Sequence, residues 1–199
     1  MISRTARMLL TGGLLLPQIA FAHSPIEGMD NFYNGVLHPV LVPAHVLLLI
    51  IFGLYVSQRG PTHVSSIGII ILAAFPGLIV SWFNVFDNLE TILLILSVVV
   101  GIATAANSTV SSYFPKMLAV AIGVLIGADS TQTVLVGTER LTFFLGCGLG
   151  IILLVIFSWG LGDHARNFTW TKVGVRVIGS WITASAILVL VLTMFSRAT

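Results

Sequence analysis

Six apolar runs divide this sequence: roughly residues 36–58, 64–84, 89–106, 116–136, 141–161 and 173–195. A helix needs about 20 mainly apolar residues to cross the hydrocarbon core of a bilayer, and each run is of about that length. In lipid a backbone must satisfy its own hydrogen bonds, so such runs fold as helices and the expected class is an all-α, six-helix transmembrane bundle. The breaks agree with this division. Arg59-Gly60-Pro61 separates the first run from the second, Asn84 to Asn88 the second from the third, and Asn107 to Pro115 the third from the fourth. Gly137 to Arg140 is very short, and Gly162 to Lys172 is the longest loop. Connections this short make sequence neighbours antiparallel, which predicts an up-and-down bundle. Composition supports the same solvent. Only 8% of the 199 residues are charged, whereas a soluble surface needs about a quarter.

The first 22 residues read differently from the six runs. Arg4 and Arg7 precede a short apolar stretch from Met8 to Leu16, and Ala20-Phe21-Ala22 forms an A-x-A cleavage signal. About nine apolar residues ended by Pro17 are too few to span a bilayer, so residues 1–22 are expected to be a signal peptide cleaved before His23, leaving 23–199 as one membrane domain. That start places the mature N-terminus outside an inner membrane, and six spans return the C-terminus to the same side. The predicted inner loops then hold or adjoin Arg59, Lys116, Arg166 and Lys172, and the outer ones only Arg140 and Arg197, as the positive-inside rule requires. The acids lean outward: Glu27, Asp30, Asp87, Glu90 and Glu139 against Asp163 inside. An acidic outer face concentrates cations at the entrance. The basic residues are scattered singly, which excludes a nucleic-acid partner, and the single Cys147 excludes an internal disulfide.

An ionisable group inside a membrane costs several kcal/mol, about 3 at the helix centre on insertion scales, so each one is a candidate for function. Four stand out: His38, His45, Glu90 and Asp129. His38 and His45 are seven residues apart, two turns of a regular helix and therefore on one face. That spacing rises about 10.5 Å, too far for both imidazoles to hold one ion at about 2 Å, and predicts successive stations instead. Pro39 and Pro43 qualify this expectation, because each removes a backbone donor and can kink or unwind the segment. Counting depth from the helix ends pairs His38 with Glu90 in an outer tier and His45 with Asp129 in an inner one. Imidazole with carboxylate suits borderline divalent metals such as nickel, zinc or cobalt. The G-x-x-x-G pairs Gly123/Gly127 and Gly146/Gly150 are expected to let helices approach closely, with Cys147 as a small packing residue. Arg176 is expected to snorkel to the inner surface, and His63 and His164 to be ordinary loop residues.

Several of these segments together resemble the HupE/UreJ family of hydrogenase- and urease-associated nickel permeases. They are Ala22-His23, Gly35-Val36-Leu37-His38-Pro39, His45 with its apolar run to Gly53, Leu89-Glu90 followed by Ser97-Val98-Val99-Val100-Gly101, and Arg176 with Gly179. The family's first mature helix carries H-P-x-x-G-x-D-H; here Val42 stands at the motif's glycine and Ala44 at its aspartate. The family's fourth helix carries a histidine-rich stretch, whereas Gly127-Ala128-Asp129-Ser130 occupies that region here.

The resemblance implies a non-enzymatic secondary permease for a divalent transition-metal cation, nickel first, with the ion as cargo and no tightly bound cofactor. Its implied partners are the lipid bilayer, the metal cation, and hydrogenase or urease maturation proteins or subunits of a membrane complex. The sequence has no Walker-type phosphate loop, which excludes ATP-driven transport by this chain alone. The ligands missing at Val42 and Ala44 support a second expectation, a non-transporting structural or assembly subunit of a membrane metalloenzyme.

Overall fold

The computed structural model describes residues 26, 28–83, 88–108, 111, 113–130, 132 and 134–198. The predicted signal peptide with its cleavage site, His23, Glu27 and Asp87 lie outside the described residues.

Among the described residues every regular element is helical. The α-helices are α1 (Asn31–Leu41), α2 (Pro43–Gln58), α3 (Ser65–Val80), α4 (Leu89–Ala105), α5 (Phe114–Asp129), α6 (Gly137–Ala165) and α7 (Thr169–Ala198), with 3-10 turns at Pro61–His63 and Ser81–Phe83. On length and composition three segments can cross a bilayer: Pro61–Phe83, Gly137–Ala165 and Thr169–Phe195. α1 and α2 pass the same test together as one span bent by 70°, and α4 is apolar but shorter, at 17 residues.

The surface confirms the solvent. Leu72, Phe83, Met117, Phe157, Trp181 and Phe195 are exposed, while Ser57, Ser66, Ser81, Ser97, Thr104, Ser130 and Ser158 are buried. Most of those hydroxyls donate to carbonyls three or four residues back, as Ser97 does to Leu93 (2.9 Å) and Thr104 to Val100 (2.8 Å). Hydroxyls satisfied within their own helix can be buried at little cost, and the apolar residues are left to face lipid.

The fourth apolar run is a correction. It predicted a helix to residue 136, but α5 stops at Asp129. Ser130 turns out of helical geometry at φ −77°, ψ 37°, and its hydroxyl donates back to the Ile126 carbonyl at 2.8 Å. Hydroxyl side chains compete with the helix for its own backbone groups, an effect invisible to a hydropathy window.

Packing partners follow small residues rather than chain order. α3 packs mainly on α5, α1 and α2 on α6, and α4 on α7 and α2, while α6 and α7 touch little although only residues 166–168 join them, in place of the long loop expected from Gly162 to Lys172. The up-and-down expectation therefore holds for the alternation of ends but not for the choice of neighbours. Gly123 and Gly127 bring α5 against the backbone of α3 at Ile70 and Ala74, and Gly146 and Gly150 bring α6 against α1 at Phe32 and Val36. A Cβ at any of the four would overlap a carbonyl oxygen of the facing helix. Such close approach maximises van der Waals contact between helices, the main attraction left to them in lipid.

Arg59, Arg166 and Arg176 gather at one end of the bundle. The Arg59 guanidinium donates to the Ser108 carbonyl at 2.7 Å, that of Arg176 to the Ala105 carbonyl at 2.8 Å, and Arg166 lies beside Gly60. At the opposite end Arg140 donates to the Ser81 carbonyl at 3.0 Å.

Candidate functional site

The break between α1 and α2 builds the site. Pro43 opens α2, where its missing N–H costs nothing, but its ring restricts the residue before it to extended geometry. Val42 accordingly has φ −84°, ψ 113°, and the two helices meet at 70°. The expected separation of the histidines along one straight helix is thereby overturned. Their ring centroids lie 5.3 Å apart, edge to face. Two imidazoles sharing one tetrahedral ion at about 2.0–2.1 Å hold their centres about 5 Å apart, so the two rings lie within the distance that a shared ion requires rather than about 10.5 Å apart.

Both rings are buried, His38 at 3% exposure and His45 at 0%. Phe143 of α6 packs edge-on against His38 at 5.4 Å, and Cβ-free Gly35, one turn earlier, lets α1 lie on the Phe143–Cys147 backbone. Asp129 reaches His45 from α5: its Oδ2 is 2.9 Å from Nε2. An ionised carboxylate only accepts, so with Asp129 ionised and the imidazole neutral the proton resides on Nε2 and the lone pair on Nδ1. That Nδ1 is buried and has no hydrogen-bond partner among the described residues. A histidine oriented by a carboxylate on one nitrogen, with the other open, is the usual state of a metal-binding imidazole. Asp129 also closes α5 at its C-terminus, where the helix dipole disfavours negative charge. Its placement there calls for a donor or a cation, and His45 supplies the donor.

Glu90 opens α4. It is half-buried in the first turn of α4 and, among the described residues, joins neither histidine in an ion pair. The contacts the structure does make join His38, His45 and Asp129 in one cluster. Among the described residues no group of three or more His, Cys, Asp or Glu side chains is placed to hold a metal ion. The cluster offers two imidazoles, with Asp129 committed to orienting one of them.

Two residues near this end carry more than the sequence indicated. Arg140 is buried at 8% exposure rather than sitting in an open loop, its guanidinium 5.1 Å from the Trp82 ring and 5.5 Å from that of Phe144. The flanking aromatics were the available signal. Cys147, fully buried, donates to the Ser130 hydroxyl at 3.3 Å beside Asp129. The two histidines expected in loops sit at helix ends instead: the His63 ring bonds Thr62 (3.0 Å) at the close of the Pro61–His63 turn, and His164, in the last turn of α6, packs on Phe168 (6.3 Å).

A model of the family described as HupE / UreJ protein matches residues 10–189. No curated protein and no solved structure matches the chain.

Proposed function

Because the chain belongs to the HupE/UreJ family, a transporter-type family associated with nickel or cobalt transport or accessory function, we propose that it is a secondary permease for a divalent transition-metal cation, nickel first. The observation that carries this reading is the buried His45 Nδ1, left open while Asp129 holds Nε2, with the His38 ring 5.3 Å away. Imidazole donors favour nickel or cobalt over magnesium and calcium, which take oxygen ligands. The remaining ligand positions fall to water, which suits an ion that must leave again. Purified protein in proteoliposomes is expected to accumulate radioactive nickel along its gradient and to ignore magnesium. Liposomes no more permeable to nickel than empty ones would refute the permease.

We read the chain as a six-span inner-membrane protein with cleaved residues 1–22 and both mature termini periplasmic. The gathering of Arg59, Arg166 and Arg176 at one end supports that end as the cytoplasmic one. Alkaline phosphatase fused after Thr199 is expected to be active; activity only from a cytoplasmic reporter at that position would reverse the topology.

The limited ligand set favours one other reading, a non-transporting subunit of a membrane metalloenzyme, with hydrogenase or urease maturation proteins as neighbours. It expects the same proteoliposomes to be inert, and the protein to copurify with a stoichiometric partner.

A further inference from the structure

The sparse contact between α6 and α7 leaves a cleft at the arginine-rich end of the bundle. One part of it is a polar cavity of about 310 Å³ whose lining includes Arg166, Lys172, Arg176, Gln58 and Asn107. The other part is an almost wholly apolar groove of about 450 Å³, with Leu154, Phe157, Leu161, Trp170 and Ile178 in its walls. Ala165 and Val175 line both, so the two are adjacent sections of one cleft.

Charge and shape decide what fits. Three cations line the polar section, and one of them, Arg166, is paired with Asp163 at 3.0 Å. Arg176 spends its Nε on the Ala105 carbonyl at 2.8 Å, which leaves its terminal nitrogens for another acceptor. Lys172 is exposed and forms no ion pair among the described residues. The section therefore presents net positive charge, as an anionic group requires. The apolar section runs along α6 from Ala165 back to Leu154, eleven residues or about 16 Å. Half of an about 30 Å hydrocarbon core is about 15 Å, so the groove has the depth of one leaflet. A free anion has no use for such a groove, and a neutral acyl chain none for three cations.

We infer that the α6–α7 cleft binds one anionic glycerophospholipid of the inner leaflet, its phosphate among Arg166, Lys172 and Arg176 and an acyl chain along Leu161, Phe157 and Leu154. The lipid fills the gap between α6 and α7, while α7 is held to the bundle through α4. The inference is independent of which metal the protein moves.

The test uses the full chain, purified in a zwitterionic detergent and read by native mass spectrometry and thermal midpoint. Phosphatidylglycerol is expected to remain as a single adduct and to raise the midpoint, whereas phosphatidylcholine and inorganic phosphate do neither. Lys172→Gln, at an exposed position, is expected to weaken phosphatidylglycerol retention severalfold, the loss of one charge-assisted phosphate contact. Gly174→Leu places a side chain where a Cβ meets nothing within 4 Å, in the wall of the apolar groove. It is expected to expel the lipid without disturbing the helices. Equal retention of the two lipids, a midpoint raised as much by inorganic phosphate, or undiminished binding to both variants would overturn the inference. So would a Gly174→Leu protein that loses a dimer instead of a lipid, since the cleft would then be an interface between copies.

Discussion

Gly146→Leu is expected to lower nickel uptake at least about tenfold while the protein stays folded in the membrane, the size of effect that misplaced metal ligands or their supports produce. The substitution touches neither histidine. A Cβ at Gly146 would overlap the Phe32 carbonyl oxygen and crowd the Val36 amide, so α1 must move off α6. Overpacking of this kind costs about 1–3 kcal/mol. α1 has only 11 residues and is already uncoupled from α2 by the extended Val42, so it can swing away without unwinding the rest. His38 travels with it, and the 5.3 Å approach to His45 is lost. Gly160→Leu is the control on the same helix, because a Cβ there meets nothing within 4 Å. Initial uptake rates, normalised to protein in the membrane, separate the two. Uptake by Gly146→Leu at the rate of Gly160→Leu would show that the docking of α1 is no part of the site.

That dependence on α1 marks where the sequence stops being legible. Apolar runs and their breaks locate the helices, because lipid imposes one requirement on every span. The glycine pairs announce close packing, but not which helix each pair meets. Gly123/Gly127 could face any neighbour, and the choice of α3 depends on Ala73, Ala74 and Gly77 presenting a matching small surface. Depth counting correctly brought Asp129 level with His45, since rise per residue is nearly constant along each helix. It failed for His38 because it assumed one straight helix through Pro43. The signal was present in the X-Pro dipeptide at Val42, which restricts ψ at the preceding residue. Its consequence, a 70° fold that closes two turns of separation into ring contact, needs three-dimensional geometry. The burial of Arg140 among Trp82 and Phe144 is of the same kind, a tertiary placement with only a faint trace in local composition.

Asp129→Asn is expected to reduce nickel transport about 10–100-fold, the usual cost of removing the carboxylate that orients a metal-binding imidazole. The asparagine keeps the shape and can still accept from His45 Nε2, so the 2.9 Å contact survives and the fold with it. What disappears is the charge, and with it the polarisation that makes Nδ1 a better donor to a cation. The charge also offsets the cost of bringing a divalent ion into lipid, where the protein must replace its hydration. His45→Ala removes the donor itself and is expected to leave no measurable transport. Because the two residues act as one unit, the double substitution should be no worse than His45→Ala alone. Glu90→Gln, at a position paired with neither histidine, is expected to alter the half-saturating concentration only modestly. A structural role for Asp129 makes the opposite forecast. Ser130, its neighbour, already donates to the Ile126 carbonyl and accepts from Cys147, so among the described residues the carboxylate's partner is His45. If that contact served only to satisfy two buried polar groups, the neutral amide would satisfy them equally well, and transport by Asp129→Asn would match the wild type. A well-folded Asp129→Asn protein that moves nickel at the normal rate would therefore remove Asp129 from the transport site and leave His45 as a packing residue.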